Sequence, residues 1–291
     1  MMTRRLTRLI EWSERQAREA GRPIQPGDLL SGALCERTGV FAELYLTFPD
    51  LAARIRRGEG GSEAESGVMI EEVSIPVSTG TAAVFTRARQ LRNRYGQDVL
   101  NEGHVMRAVM ESEDERLGAC LSHEDRQRIL SITSAPRDMI VPLTGNAFSP
   151  PSQVKRAGQS DREQVRSFVG TEFGSGWLEA VDHAFNQTPV TLFTVMQEGD
   201  IIGFAAYDAD RKQKGVLGPM GVASGERSCG AGTRLLSACL DDMQKAGYRY
   251  AVISEAGPVE FYEKTCGASV IVGDGLYTEK DTQLYKQGEE T

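Results

Sequence analysis

The hydrophobic period of the chain changes part-way along, and that change restricts its fold more than any other feature. From Thr3 to about Leu130 apolar residues recur at helical spacing, whereas beyond Gln153 short apolar runs alternate with helical stretches. Leu6, Leu9, Ile10, Ser13 and Ala17 share one face of a predicted helix that stops before Gly21 and Pro23. A second helix is expected from Pro26-Gly27-Asp28, burying Leu29, Leu30, Ala33 and Leu34. Phe41 to Arg57 reads as one or two short helices with Leu44, Leu46, Leu51, Ala52 and Ile55 turned inward. Arg56 to Gly67 is poor in apolar residues and rich in Gly and Glu, which predicts a mobile loop. Helical patterning resumes from Thr81 to Tyr95, through Ala82, Val84, Phe85, Ala88 and Leu91, and again around Val105, Met106, Val109 and Met110.

These two helical stretches read as one unit written twice, offset by about 75 residues. Setting Gly21 against Gly96 aligns Leu9-Ile10 with Val84-Phe85 and Ile24 with Val99. One further residue aligns Leu29-Leu30 with Val105-Met106 and Ala33-Leu34 with Val109-Met110. A unit whose apolar face is uncovered when alone is expected to pair with its copy around a shared core. The layout is a helix, a Gly, a short hydrophobic turn (Pro23-Ile24 or Asp98-Val99), then Gly27-Asp28-Leu29-Leu30 or Gly103-His104-Val105-Met106. It resembles the duplicated amino-terminal domain of Clp chaperones over residues 3–130. The resemblance implies an all-α duplicated helical bundle that docks adaptors, substrates or peptides. No Walker A motif follows, so the ATPase engine of those chaperones is not expected.

Thr133 to Lys155 holds Pro136, Pro142, Pro150 and Pro151 among Ser, Asn and Gly. That composition predicts a linker, with Met139-Ile140-Val141 as a stray strand or packing segment. The expected organisation is a helical domain at 1–132, a linker at 133–152 and a second domain at 153–291, in keeping with a length of 291. With 33 basic against 41 acidic residues the net charge is −8, which argues against nucleic acid while leaving room for a local basic patch. Cys35, Cys120, Cys229, Cys239 and Cys266 lie far apart, and the three histidines His104, His123 and His183 are scattered. No metal site is expected, and reduced thiols in a cytoplasmic protein are. No apolar run approaches a membrane span, and the first residues lack the apolar core of a signal peptide.

In the second half, Gln153 to Ala157 is expected as a strand, followed by helices over Ser160 to Phe173 and Gly176 to Phe185. Ser160-Asp161-Arg162-Glu163 has capping-box spacing. Strands over Val190 to Gln197 and Ile201 to Tyr207 flank the turn Glu198-Gly199-Asp200, and another runs from Gly215 to Val222. Then come a long amphipathic helix (Thr233 to Lys245), a strand (Tyr248 to Ile253), a short helix (Pro258 to Thr265) and strands at Ala268 to Val272 and Leu284-Tyr285. This order is a mixed α/β layout.

The chemistry-bearing piece lies between the strand at Gly215 to Val222 and the long helix. A strand ending in Leu217-Gly218-Pro219-Met220-Gly221-Val222 leads through Arg227-Ser228-Cys229-Gly230-Ala231-Gly232-Thr233 into the helix. Strand, glycine loop and helix start aim several backbone N–H groups at one anion, and the helix field favours negative charge there. A strand-to-helix turn that merely needs positive φ would use the same glycines. No Gly-x-Gly-x-x-Gly and no Gly-Lys-Ser/Thr occurs here, which sets aside the dinucleotide and P-loop fingerprints.

About thirty residues on, after a buried strand, comes Gly257-Pro258-Val259-Glu260-Phe261-Tyr262-Glu263-Lys264. Together the two motifs resemble the GNAT acetyltransferases over residues 153–286, whose acyl-CoA loop is Arg/Gln-x-x-Gly-x-Gly/Ala and whose later helix holds Tyr-Glu-Lys. The resemblance implies an α/β (α+β) GNAT acyl-CoA N-acyltransferase fold with a mixed sheet, using acetyl-CoA and no metal. It puts Met220 and Val222 on the strand beside the pantetheine arm. It puts Arg227, Ser228, Cys229, Gly230, Ala231, Gly232 and Thr233 on the pyrophosphate loop, and makes Tyr262 the proton donor to the departing thiolate. A backbone N–H near Val222 would hold the oxyanion. The sequence departs from the pattern at Ser228 (often Gly), Cys229 (often basic or bulky), Glu255 (often Asn) and Ala268 (usually Phe).

Glu255, at a strand end, is a candidate general base through water, and Trp177 a candidate lining of the acceptor pocket; Asp208 and Asp210 are lesser candidates for a base. Each has a plainer reading: solvated carboxylates, a core tryptophan, a Tyr262 whose hydroxyl merely meets water, and a Cys229 that spaces the loop. The function expected is an N-acetyltransferase moving an acetyl group from acetyl-CoA to a primary amine by direct attack. The N-terminal domain would recruit or cap the acceptor, a protein or a small molecule. The alternative is a non-catalytic acyl-CoA-sensing, protein-binding adaptor.

Overall fold

The computed structural model describes residues 1–57, 67–94, 97, 99–148, 153–257 and 259–271. The Gly- and Glu-rich stretch at 58–66, Gly96, Pro258 and the strand expected at 284–285 lie outside them.

Among the described residues eight helices fill the first part: α1 (Arg4–Glu19), α2 (Pro26–Glu36), α3 (Val40–Thr47), α4 (Leu51–Arg57), α5 (Thr79–Arg94), α6 (Glu102–Glu111), α7 (Glu115–Cys120) and α8 (His123–Thr133). Their starts are set by local chemistry. The Thr3 hydroxyl accepts the Leu6 N–H, Pro26 opens α2, and the Asp28 carboxylate accepts the Gln25 N–H at 2.7 Å. Two parallel bridges tie the helix starts together. Ile24 N–H donates to Pro76 C=O and Ser78 N–H to Ile24 C=O, while Leu100 N–H donates to Met1 C=O and Thr3 N–H to Leu100 C=O. A shift of 75 residues carries Met2 onto Val77, and one of 76 carries Ile24 onto Leu100, so the two bridges interchange. On that mapping the counterpart of Ile24 is Leu100, which is buried like Ile24, rather than Val99. Leu46, expected inside, is 76% exposed, because the short α3 buries only Val40, Phe41 and Leu44.

Strand β1 (Arg137–Pro142) follows α8 directly. Then come β2 (Val154–Arg156), α9 (Arg162–Phe173), α10 (Leu178–Phe185), β3 (Leu192–Gln197), β4 (Asp200–Tyr207), β5 (Val216–Val222), α11 (Ala231–Lys245), β6 (Tyr250–Ala256), α12 (Val259–Cys266) and β7 (Ser269–Val270). They build one mixed sheet in the order β2-β3-β4-β5-β6-β1-β7. Part of the stretch expected as a linker is therefore sheet: β1 runs antiparallel to β6, with Val141 opposite Ala251. Met139 and Val141 are fully buried, and an apolar strand buried on one face costs least when its backbone groups are paired in a ladder. The Ser160-to-Glu163 capping box does not form. Residues 159–161 make a 3₁₀ turn instead, and the Asp161 carboxylate accepts the Gly158 N–H at 2.8 Å. Glu198 and Gly199 both have positive φ, 53° and 98°, as a two-residue hairpin turn requires.

The sheet buries both faces. Phe204, Leu192 and Ala206 pack with Val165, Val169, Val181 and Phe185 of α9 and α10. On the other face Ala205, Leu217 and Ile253 pack with Leu235, Leu236, Cys239 and Met243 of α11, in a cluster that continues without a break into Leu6, Phe41, Phe85 and Ile129. Partly buried ion pairs cross the same junction: Arg5 to Glu263, and Arg137 to Glu43 at 2.7 Å. Among the described residues no helix is long and apolar enough to cross a membrane.

Candidate active site

The site begins where two neighbouring strands part. β5 and β6 are parallel and register at Val216 with Val252 and Leu217 with Ile253, after which no further pairs form. Beyond that point β5 stays paired to β4, with Gly203 opposite Val222 and Phe204 opposite Gly221. Ala223 N–H donates to Ile202 C=O at 2.9 Å, so by the alternation of an antiparallel ladder the N–H groups of Met220 and Val222 face away from β4. They face the gap that β6 has left. The Val222 C=O on that side accepts from Arg227 Nε at 3.2 Å.

The second wall is the start of α11. Ser224–Cys229 form a 3₁₀ turn, and Gly230, with φ 76° and ψ 10°, turns the chain into the helix. An L side chain is disfavoured in that left-handed conformation, so glycine is required there for its backbone. Gly230 at the N-cap has no side chain to cap the helix start, none of the described side chains does so, and the first turn carries no acidic residue. A bare N-terminus of a 15-residue helix is a favourable place for an anion. One turn in, Arg234 donates to Cys229 C=O at 3.2 Å while its buried Nε has no partner among the described residues. Cys229 is exposed and its thiol donates to Glu226 C=O. The residues thus fit a phosphate-bearing carrier: uncapped N–H groups, an unsatisfied guanidinium donor and open space in front of Gly230.

α12 forms the third wall through Phe261, a residue the sequence reading passed over for its neighbour. A Cβ placed on Gly232 would meet the Phe261 ring at 3.5 Å and Val222 Cγ2 at 3.9 Å, so loop, strand and α12 converge there. Phe261 stacks edge-on against Tyr262, with ring centroids 4.9 Å apart. Tyr262 is 7% exposed. Burial, and then the nearby Cys266, push its phenol well above the ordinary value, so it stays protonated.

On the opposite face of β5 lies an aromatic cluster. Trp177, in the 3₁₀ turn Ser175–Trp177, stands 5.0 Å from Phe173 and 6.0 Å from Phe204. The Phe173 ring covers Gly221, where an added Cβ would come within 2.5 Å of it. Trp177 is 36% exposed, so this cluster lines a surface beside the splayed strand rather than closed core.

Glu255 is not brought to this convergence in the way its position suggests. It takes a left-handed conformation (φ 49°), its N–H donates to Asp138, and its carboxylate accepts from Arg211 at 2.6 Å. Ser254 is the β6 residue facing Gly218, within 2.9 Å of a Cβ built there. Asp208 is consumed structurally, accepting from Gly215 N–H, Lys214 and the Tyr248 hydroxyl. Arg234, Phe261, Phe173 and Ser254 were not singled out from sequence; Arg234 alone left a trace, as a cation one step past the glycine loop.

Residues 162–268 match the model of the acetyltransferase (GNAT) family. They form a GNAT domain. No curated protein matches the chain. Among solved structures, a GCN5-related N-acetyltransferase from Sphaerobacter thermophilus is 20% identical with a TM-score of 0.39, over 52% of this chain and 54% of that one. A GCN5-related glucosamine N-acetyltransferase region of a fungal multi-domain β-N-acetylglucosaminidase is 16% identical with a TM-score of 0.39, over 47% and 20%. The N-terminal domain of the chaperone ClpD from Arabidopsis thaliana is 18% identical with a TM-score of 0.35, over 45% and 90%. The chain spans about half or less of these two acetyltransferase structures.

Proposed function

We propose that the GNAT domain transfers an acetyl group from acetyl-CoA to a primary amine. The observation that carries this is the meeting of an unpaired strand edge at Met220 and Val222 with an uncapped helix start at Gly230–Thr233. An extended amide-bearing arm pairs with the first, and a diphosphate is held by the second, with Arg227, Ser228 and Cys229 leading in and Arg234 adding a donor. The acceptor amine enters past Trp177 and Phe173.

The amine nitrogen attacks the thioester carbonyl, and the Val222 N–H holds the oxyanion. The C–N bond forms, the C–S bond breaks, the ammonium gives its proton to water, the buried phenol of Tyr262 protonates the thiolate, and the proton released to water restores the phenol. Glu255 takes part as a base through water only with its Arg211 pair opened. We read the helical half as a Clp-like duplicated bundle that recruits or caps the acceptor. Its support is the interchange of the two bridges and the matching acceptors at Asp28 and His104.

The test is thiol release from acetyl-CoA with a panel of amines, for the full chain and for Tyr262→Phe. The variant should lose about 100-fold in kcat with unchanged affinity for CoA, and a loss below about threefold would remove the tyrosine's role. Binding without turnover for any amine would turn the reading to an acyl-CoA-sensing adaptor.

A further inference from the structure

We propose that the helical half fixes the position of α12 through Arg5 and Glu263, two positioning residues that set the width of the crevice between α12 and the glycine loop; what that crevice holds rests on the acyltransferase reading above. The Arg5 side chain is 5% exposed and forks between the halves: one nitrogen meets Glu102 at 2.6 Å, the other Glu263 at 2.6 Å. The second Glu102 oxygen accepts from Thr3, so that carboxylate is held at both ends. Gly39, with φ 52°, lies flat against the guanidinium; any side chain there would overlap Arg5 and come within 2.8 Å of the Glu263 carboxylate. Arg5 therefore has one place to sit, and Glu263 follows it.

From Glu263 the constraint passes across α12. Two residues earlier the Phe261 ring lies against Gly232, so the helix is held between the helical half on one side and the glycine loop on the other. The strand before it is held from the same direction. Arg137 reaches Glu43 of α3, and the adjacent Asp138 accepts the N–H of Glu255 at 2.9 Å where β6 ends. A buried ion pair adds little net stability over apolar packing but defines a geometry.

Glu263→Ala tests this with the least threat to folding, because Arg5 keeps Glu102. Amide exchange over 259–266 in the full chain should quicken by about tenfold or more while exchange in α1 and α6 holds. In thiol release, kcat should fall about tenfold with KM for acetyl-CoA within about threefold. Glu263→Gln, which can still accept from Arg5, should recover most of both. A lowered melting midpoint with unchanged kcat, or unchanged exchange in α12, would overturn the proposal. If the wild-type chain releases no thiol, the acyltransferase reading fails by itself, and exchange alone decides whether the helical half holds α12.

Discussion

The two glycines of the loop do different work. Gly230 needs its left-handed backbone, with nothing within 4 Å of an added Cβ, so Gly230→Ala is strained by conformation alone. It should cost about 1–2 kcal/mol in stability, the usual penalty of an L residue there. Gly232 sits inside the first helical turn with ordinary contact to Phe261, so Gly232→Ala should be neutral or stabilising by up to about 1 kcal/mol. Urea unfolding of the pair separates the roles; equal losses would contradict the assignment. Gly230 was legible in the sequence, since a positive φ restricts the residue type. Phe261 was not, because one aromatic beside another gives no sign of which faces the loop. Nor was the tie between Glu255 and Arg211, whose partners are 44 residues apart in sequence.

At the scale of elements, the start of α6 carries a pH dependence. His104 donates its N–H to Asn101 Oδ1, and its Nδ1 accepts the Asn101 N–H at 3.2 Å, which requires an unprotonated ring nitrogen. Burial first, and then Arg92, lower its pKa from 6.5 to about 4. Between those values the unfolded chain binds the proton and the folded chain does not. The histidine's contribution is therefore intact above pH 6.5 and declines as pH falls toward 4. Unfolding midpoints should drop across that window, and His104→Gln, which keeps an acceptor, should flatten this part of the drop. A profile unaltered by the substitution would contradict it. The helices were legible because their caps and periodicity are local. β1 was only half legible: its apolar core stood out, but its partner β6 lies more than a hundred residues on, and flanking prolines suggested a linker.

At the scale of the molecule, a buried cluster runs through both halves, and ion pairs tie the helical half to α12 at Arg5–Glu263 and to β1 at Arg137–Glu43. A helical first part and an α/β second part were readable from the change in hydrophobic period; the shared core was not, because either half has apolar residues enough to account for its own packing. Above all, the gap between β5 and β6 and the start of α11 at Gly230 should receive an acyl carrier. Thermal unfolding of the full chain with acetyl-CoA, against adenosine as control, measures that directly. At about 100 times its dissociation constant acetyl-CoA should add about 2.7 kcal/mol, adenosine next to nothing, and Arg234→Met should weaken the response. An unfolding curve that acetyl-CoA leaves in place, or that adenosine moves as far, would contradict the account.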